Sequence, residues 1–293
     1  MTGRLVHTGQ VVLDLVMAVP ALPPPGGDVL ASSTNLAPGG GFNGMSAAAR
    51  SGARVLYAGS HGTGAFGDLV RAALAEEDVE LAHEPMPDVD TGVVVALVDA
   101  TGERTFATGT GAEGRLRAEL LNRVHPKKDD VVYVSGYSLL HETNRAALLE
   151  WLPRLPGSRI LFDPGPLIAE IDPGGLHEVL STVDILSCNA READVLGELP
   201  PVAVVRNGAK GCRVHENGRT TDVPGFPVDV VDTNGAGDTH CGVLGAELLR
   251  GSSLLDAAVR ANAAAALSVT RRGPATAPDR AAIDTLTRDG QER

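Results

Sequence analysis

A mostly parallel β-sheet covered by helices on both faces is the fold class this sequence predicts, and three observations predict it. Short β-rich runs alternate with helical segments through most of the chain, at spacings that suit repeated βα units. Hydrophobic residues make up 43% and charged residues 21% of 293 residues, enough for a sizeable buried core. No internal repeat or low-complexity linker divides the chain, so 1–293 reads as a single domain. Aromatic residues supply only 3%, so Ala, Val and Leu must fill much of the interior.

The elements follow in order. Residues 4–13 read as a strand, and 13–35 as strand-like around the loop Pro23-Pro24-Pro25-Gly26-Gly27. A helix over 42–51, a strand over 54–60, a helix over 68–78 and a strand-like stretch over 79–83 come next. The alternation breaks at 92–107, where two strands flank a tight turn around Ala100-Thr101-Gly102, a hairpin rather than a βαβ unit. Together, about 13–35 and 92–108 predict a small antiparallel sheet standing off the main domain. It is either a lid over a substrate or an ordinary surface hairpin. Strands over 130–135, 159–163 and 184–187 then enclose helices over 143–152 and near 175–181, and 235–250, 254–270 and a weaker segment from 279 are helical.

Charge and special residues exclude several classes. A net charge of −12 repels nucleic-acid phosphates, and no dense Lys/Arg cluster compensates. No apolar run approaches the ~18 residues that span a bilayer, and the N-terminus lacks a signal-peptide layout, so no membrane partner is expected. Cys188, Cys212 and Cys241 are odd in number and widely spaced, as reduced thiols of a cytoplasmic protein would be. No Cys/His cluster suggests structural zinc.

The strongest chemical signal is Asp232-Thr233-Asn234-Gly235-Ala236-Gly237-Asp238-Thr239 at a loop-to-helix junction. Small residues at Gly235, Ala236 and Gly237 let backbone N–H groups approach a ligand, and the helix that follows turns its positive end toward them. Such a nest suits the negative charge that develops in phosphoryl transfer. Asp238, in the first helical turn, can accept a proton from a hydroxyl in the same pocket.

This motif resembles the signature of the ribokinase-like (PfkB) carbohydrate kinase family, and the resemblance extends over nearly the whole chain. It implies a three-layer α/β sandwich with a β lid, and an enzyme that uses ATP with Mg²⁺. It further implies sugar contacts from Asp14, Gly39, Gly40, Gly41 and Asn43. Asn189 and Glu192 would organise Mg²⁺ and phosphates, Glu192 through water. Arg206, Gly208 and Gly211 would form the nucleotide loop, with Asn262 and Gly273 at the adenine end. A monovalent cation such as K⁺ near Asp232 and the 270–273 carbonyls, and a homodimer through the lid, are implied as well. Taken singly, these motifs have structural readings: Gly39 to Asn43 as a turn and N-cap, Asn189 and Glu192 as a capping box, Gly208 and Gly211 as an ordinary turn. Their order and spacing relative to 232–239 favour the functional reading.

The chain departs from the family pattern at several points. His240 stands where Phe is frequent, Asn234 where Thr is common, and Met45 where a small residue is usual. Asp163-Pro164-Gly165-Pro166 lacks the Asn and, at Leu167, the Arg of the related segment, which removes a phosphate clamp from that loop. Gly62-Thr63-Gly64-Ala65-Phe66-Gly67 also has the spacing of a dinucleotide fingerprint between strand and helix, which would make the chain an NAD-dependent oxidoreductase. A neutral sugar is the expected substrate, because 14–19, 29–43 and 93–110 contain no Lys and one Arg, Arg104, expected to pair with Glu103 or face solvent. A nucleoside is the alternative, with Phe42 or Phe106 as the aromatic platform a base would want.

Overall fold

Strand alternation sorts the interior into two layers of core. The computed structural model describes residues 3–155 and 157–291. Its strands are β1 (Arg4–His7), β2 (Val11–Ala18), β3 (Ser33–Gly40), β4 (Arg54–Tyr57), β5 (Glu80–Leu81), β6 (Val93–Val98), β7 (Arg104–Gly109), β8 (Val131–Ser135), β9 (Arg159–Asp163), β10 (Ile185–Asn189), β11 (Ala203–Arg206), β12 (Cys212–Glu216) and β13 (Arg219–Val223). Its helices are α1 (Gly41–Arg50), α2 (Ala65–Glu76), α3 (Ala118–Leu121), α4 (Glu142–Trp151), α5 (Pro173–Thr182), α6 (Ala190–Leu196), α7 (Ala236–Leu249), α8 (Leu254–Ser268) and α9 (Arg280–Gln291).

The main sheet runs β13-β12-β11-β10-β9-β8-β1-β4-β5, parallel from β5 to β11 with an antiparallel edge at β12 and β13. Its strands are apolar on both faces, as parallel strands between helical layers must be. Val6, Val132, Phe162, Leu186 and Val205 pack with Leu148 and Trp151 of α4 on one face. Their neighbours Val131, Leu161, Ile185 and Val204 pack with α7 and α8 on the other. Helix α7 is buried nearly all round, which its mostly small or apolar sequence permits, with His240 and Glu247 as buried polar exceptions. It lies between α1 and α8.

A second sheet, β3-β2-β6-β7, stands over the carboxyl end of the main one. The two segments expected to form a small sheet do so, with three corrections. Residues 4–13 are not one strand. The chain turns at Gly9, so β1 enters the main sheet and β2 the small one. The small sheet is also not purely antiparallel, since β2 and β6 pair in parallel from Leu13↔Val93 to Ala18↔Val98. Third, its strands reach outside the expected limits, from Val11 through Gly40 and on to Gly109. Helix α3 and the β12–β13 hairpin, which the periodicity left unassigned, complete the fold. No helix among the described residues is long and apolar enough to cross a membrane, and the three cysteines are buried free thiols.

Candidate active site

Three adjacent parallel strands end in polar residues: Asp163 ends β9, Asn189 ends β10 and Arg206 ends β11. Ligands of open α/β sheets bind outside such carboxyl ends. The start of α7 faces the same place. Gly235 precedes it with φ +72° and ψ 6°, a left-handed conformation, and a Cβ there would stand 3.2 Å from the Asn43 side chain. No side chain caps this end of α7; Ala236 N donates to Thr233 O at 3.3 Å, and the N–H groups of Gly237 and Asp238 are left for an anion.

Asp238 sits in that first turn and is partly buried. Its Oδ2 accepts a hydrogen bond from Asn43 Nδ2 at 3.1 Å. Burial, then the nearby charge of Asp163, push its pKa up to about 7, against the pull of the Asn43 hydrogen bond and Arg206. Asn43 is itself buried, and its Oδ1 accepts from Ala275 N at 2.9 Å. Asn43, expected as a sugar contact, thus holds Asp238 with one amide hydrogen and the Ala275 N–H with its oxygen, and has one amide hydrogen left.

On the lid side, Asp14 lies within β2 rather than after the first strand. Its carboxylate covers Gly39, where a Cβ would come within 2.1 Å of Asp14 Oδ2, so the carboxylate's position depends on that glycine. Burial raises the Asp14 pKa to about 6. Gly40 ends β3, and Gly41 opens α1 with its N–H donated to Gln10 O at 2.6 Å.

Beyond α7 opens a cavity of about 440 Å³. Asn189, Arg206, Gly208, Gly211, Ala236, Gly237 and Asn262 line it together with an apolar wall of Phe226, Val228, Val230, Ala265 and Val269. Ala265 follows the Asn262 segment expected at the adenine end, whereas Phe226, Val228 and Val230 escaped the sequence reading, although the run from Phe226 to Val231 is mostly apolar. Asn262 holds the wall together: its Nδ2 donates to Val223 O and Pro224 O, both at 3.1 Å, and its Oδ1 faces His240 Nε2 at 3.2 Å. His240, at the departure from the family pattern, is held neutral by burial, with its pKa lowered to about 3. Gly273 does not line this cavity. Its N–H donates to Asp232 Oδ2 at 3.0 Å, which ties it to the loop before α7.

Arg206 lies below the cavity as a buried hub. Its Nη1 donates to Asp163 Oδ2 at 2.9 Å and Ser187 Oγ at 3.0 Å, and its Nη2 lies 3.5 Å from Glu192 Oε2. The guanidinium sits beneath Gly237, within 3.6 Å of where a Cβ would be. It thus brings a fixed positive charge under the anion nest, from β11 rather than from the 163–167 segment that lacks the clamp. Asn189 and Glu192 form a complete capping box on α6, with Glu192 N donating to Asn189 Oδ1 and Asn189 N donating to Glu192 Oε2. Burial, then Asp163, raise the Glu192 pKa. Glu192 Oε1 accepts only from the Asn189 amide. Mg²⁺ keeps several waters and takes few protein ligands when phosphates supply the rest, so this carboxylate fits an outer-sphere role.

Asp232 has different company. Its Oδ1 accepts from Arg104 Nη2 at 2.7 Å and from Asn234 N at 3.0 Å, while Oδ2 accepts from Gly273 N. Burial opposes its charge, but the hydrogen bonds from Gly273, Asn234 and Arg104 outweigh it and the pKa is lowered. Arg104 is therefore paired with Asp232 and not with Glu103. It reaches from the lid to the loop before α7. A carboxylate already holding three N–H donors, one of them a full cation, does not fit a monovalent metal ion as well.

The Gly62–Gly67 segment is occupied too. The Asp90 carboxylate accepts from Phe66 N at 3.1 Å and Gly67 N at 2.7 Å, filling the start of α2 where a pyrophosphate would have to lie. Tyr137, unmarked in sequence, borders the cleft: burial and then the charges of Asp238, Asp163, Glu192 and Asp14 push its pKa up to about 12.

A family model described as pfkB family carbohydrate kinase matches residues 2–281. The "Uncharacterized sugar kinase YegV" of Escherichia coli (strain K12) is 30% identical over 291 residues, covering 93% of this chain and 90% of that protein. A ribokinase of Haemophilus influenzae is 27% identical, covering 93% and 94% of the two chains. Among solved structures, a ribokinase from Thermotoga maritima superposes with a TM-score of 0.83 at 24% identity, covering 97% of this chain and 99% of that one.

Proposed function

Because the chain belongs to the pfkB family of carbohydrate kinases, we propose that it transfers the γ-phosphate of ATP to a hydroxyl of a neutral sugar, with Asp238 as general base. One observation carries this reading. Asp238 stands at the foot of α7 between two spaces, the lid side, where Asp14 covers Gly39, and the cavity walled by Ala236 and Gly237.

In this reading the sugar lies under the lid, held by Asp14, the backbone at Gly39, Gly40 and Gly41, and the spare amide hydrogen of Asn43. ATP fills the cavity, its base against the Phe226 and Ala265 wall and its phosphates toward Gly208, Gly211, Arg206 and the start of α7. The sugar hydroxyl oxygen attacks the γ-phosphorus, the bond to the ADP oxygen breaks, and the hydroxyl proton passes to the Asp238 carboxylate. N–H groups at Gly235 and Gly237 stabilise the charge on the transferring group, with Ala236, whose N–H donates to Thr233 O, shaping the turn between them. Mg²⁺, organised through water by Glu192 and Asn189, neutralises phosphate charge when bound.

Neutral substrate follows from Arg104 being committed to Asp232, which leaves no cation on the lid strands for a substrate phosphate. One observation favours a nucleoside as the second reading. Phe106 is two residues from Arg104 on β7, hence on the same face, and is 60% exposed, while Phe42 is buried in the core. The test is ADP release measured over pentoses, hexoses, their phosphates and nucleosides under one set of conditions. The expected outcome is the highest kcat/KM with a free sugar. A tenfold preference for a phosphorylated sugar overturns the substrate reading, and no ADP release with any acceptor overturns the kinase reading.

A further inference from the structure

The geometry points to Arg104 as a positioning residue: its guanidinium, carried by the lid, stands beside Asp232 where a monovalent cation would act, so that lid closure itself orders the phosphate loop and no added cation is needed. This rests on the kinase reading above.

The pair joins residues 128 apart in sequence across the cleft. Arg104 is the first residue of β7, opposite Val98 of β6 in the lid sheet. Asp232 is three residues before Gly235, at the loop that shapes the start of α7. Both side chains are largely withdrawn from solvent, 33% and 12% exposed, so water and salt screen the pair less than they would a surface one.

Asp232 passes the contact on. Through Oδ2 it fixes Gly273 N, two residues before Ala275, whose N–H donates to Asn43 Oδ1. Asn43 Nδ2 in turn holds Asp238. Through Oδ1 it fixes Asn234 N, next to Gly235. A short run of hydrogen bonds thus ties the lid arginine to both the anion nest and the general base. A free cation bound at Asp232 would tighten the same loops but would leave the lid untethered. The arginine does both, and its charge repels a second cation at that carboxylate.

The test compares the wild type, Arg104→Ala, Arg104→Lys and the double variant Arg104→Ala/Asp232→Asn, with K⁺ raised from none to about 100 mM against tetramethylammonium at constant ionic strength. The wild-type kcat/KM should change less than about twofold. Arg104→Ala should fall by about tenfold or more without K⁺ and recover most of it with K⁺, while Arg104→Lys, which keeps the charge, stays insensitive. Thermal unfolding without substrate supplies a readout independent of kinase activity: K⁺ should raise the midpoint of Arg104→Ala but not that of the wild type or the double variant. Tenfold activation of the wild type by K⁺ overturns the inference. So does an Arg104→Ala variant whose activity and unfolding midpoint are both indifferent to K⁺. A protein inactive toward every acceptor would sink the kinase reading while its unfolding curves still decided whether Arg104 takes the cation's place.

Discussion

The floor of the cleft and its lid hold their polar groups in opposite ways. On the floor, Asp163 and Glu192 are buried, Arg206 and Asp238 partly so, and all four are linked to one another or to Asn43 by polar contacts. The floor is anchored at the ends of packed strands and at a helix buried nearly all round. In the lid, most of β3 and β7 is exposed; Asp14 lies over Gly39 within the lid sheet itself, and Arg104 reaches across the cleft to Asp232. A dry, fixed array is what transition-state charge requires, because its dipoles need no reorganisation at the moment of reaction. A thin, wetted sheet is suited to opening and to recognition. Substitutions on the floor should therefore act on kcat, and those in the lid on KM, except at Arg104, whose tie to Asp232 makes it part of the floor.

The largest effect is expected on the floor. Asp238→Asn should lower kcat by about 10²–10⁴, since an amide cannot take the proton. Stability should move the other way. The folded pKa of Asp238, about 7, lies above the ordinary carboxylate value, so its contribution to stability is full below that ordinary value and is lost as pH rises through 7. At pH 8 the buried charge is a liability, and the variant's unfolding midpoint should equal or exceed the wild type's. Steady-state kinetics and thermal unfolding on one preparation check both. Near-normal turnover would remove Asp238 from its role.

In the lid, Asp14→Asn keeps the shape over Gly39 and removes the charge. Losing a charged hydrogen bond of about 1.5–3 kcal/mol should raise KM for the sugar by roughly tenfold or more, with kcat within about threefold and KM for ATP unchanged. A hundredfold loss of kcat instead would mean that the lid shares in the chemistry, and the division between floor and lid would fail.

The same division explains what the sequence disclosed. Alternating β and α runs gave the parallel sheet because its strands are apolar on both faces, and 232–239 gave the anion nest because a nest is local: a left-handed glycine followed by a free helix start. The capping box of Asn189 and Glu192 is likewise local. Contacts across the cleft left no such trace. Arg104 and Asp232 are 128 residues apart, and Arg104 had nearer candidates in Glu103 and water. Arg206 read as part of a turn, although its guanidinium crosses to Asp163 on a strand two places away. Spacing likewise did not show that the Gly273 N–H donates to Asp232, 41 residues away. The break between β1 and β2 was hidden because apolar side chains continue through both strands while the chain changes sheets at Gly9.

The smallest predicted effect is the most specific to the floor. Asn43→Ala removes the one side-chain donor to Asp238 Oδ2 among the described residues and leaves the lid untouched. That hydrogen bond favours the ionised carboxylate, so its loss should raise the Asp238 pKa above about 7. A general base must be ionised to accept a proton, so the acid limb of the pH–rate profile should move to higher pH. The deficit should be greatest near pH 6 and should shrink as the pH rises past the new pKa. Some loss at every pH is expected as well, because Ala275 N loses its acceptor and the 273–275 segment loosens. The measurement is kcat/KM against pH for both proteins at saturating ATP. A uniform drop with an unmoved acid limb would make Asn43 a structural support for the 273–275 segment alone. An acid limb displaced to lower pH would mean that the Asn43 amide stabilises the protonated acid, reversing the assignment of donor and acceptor between these two side chains.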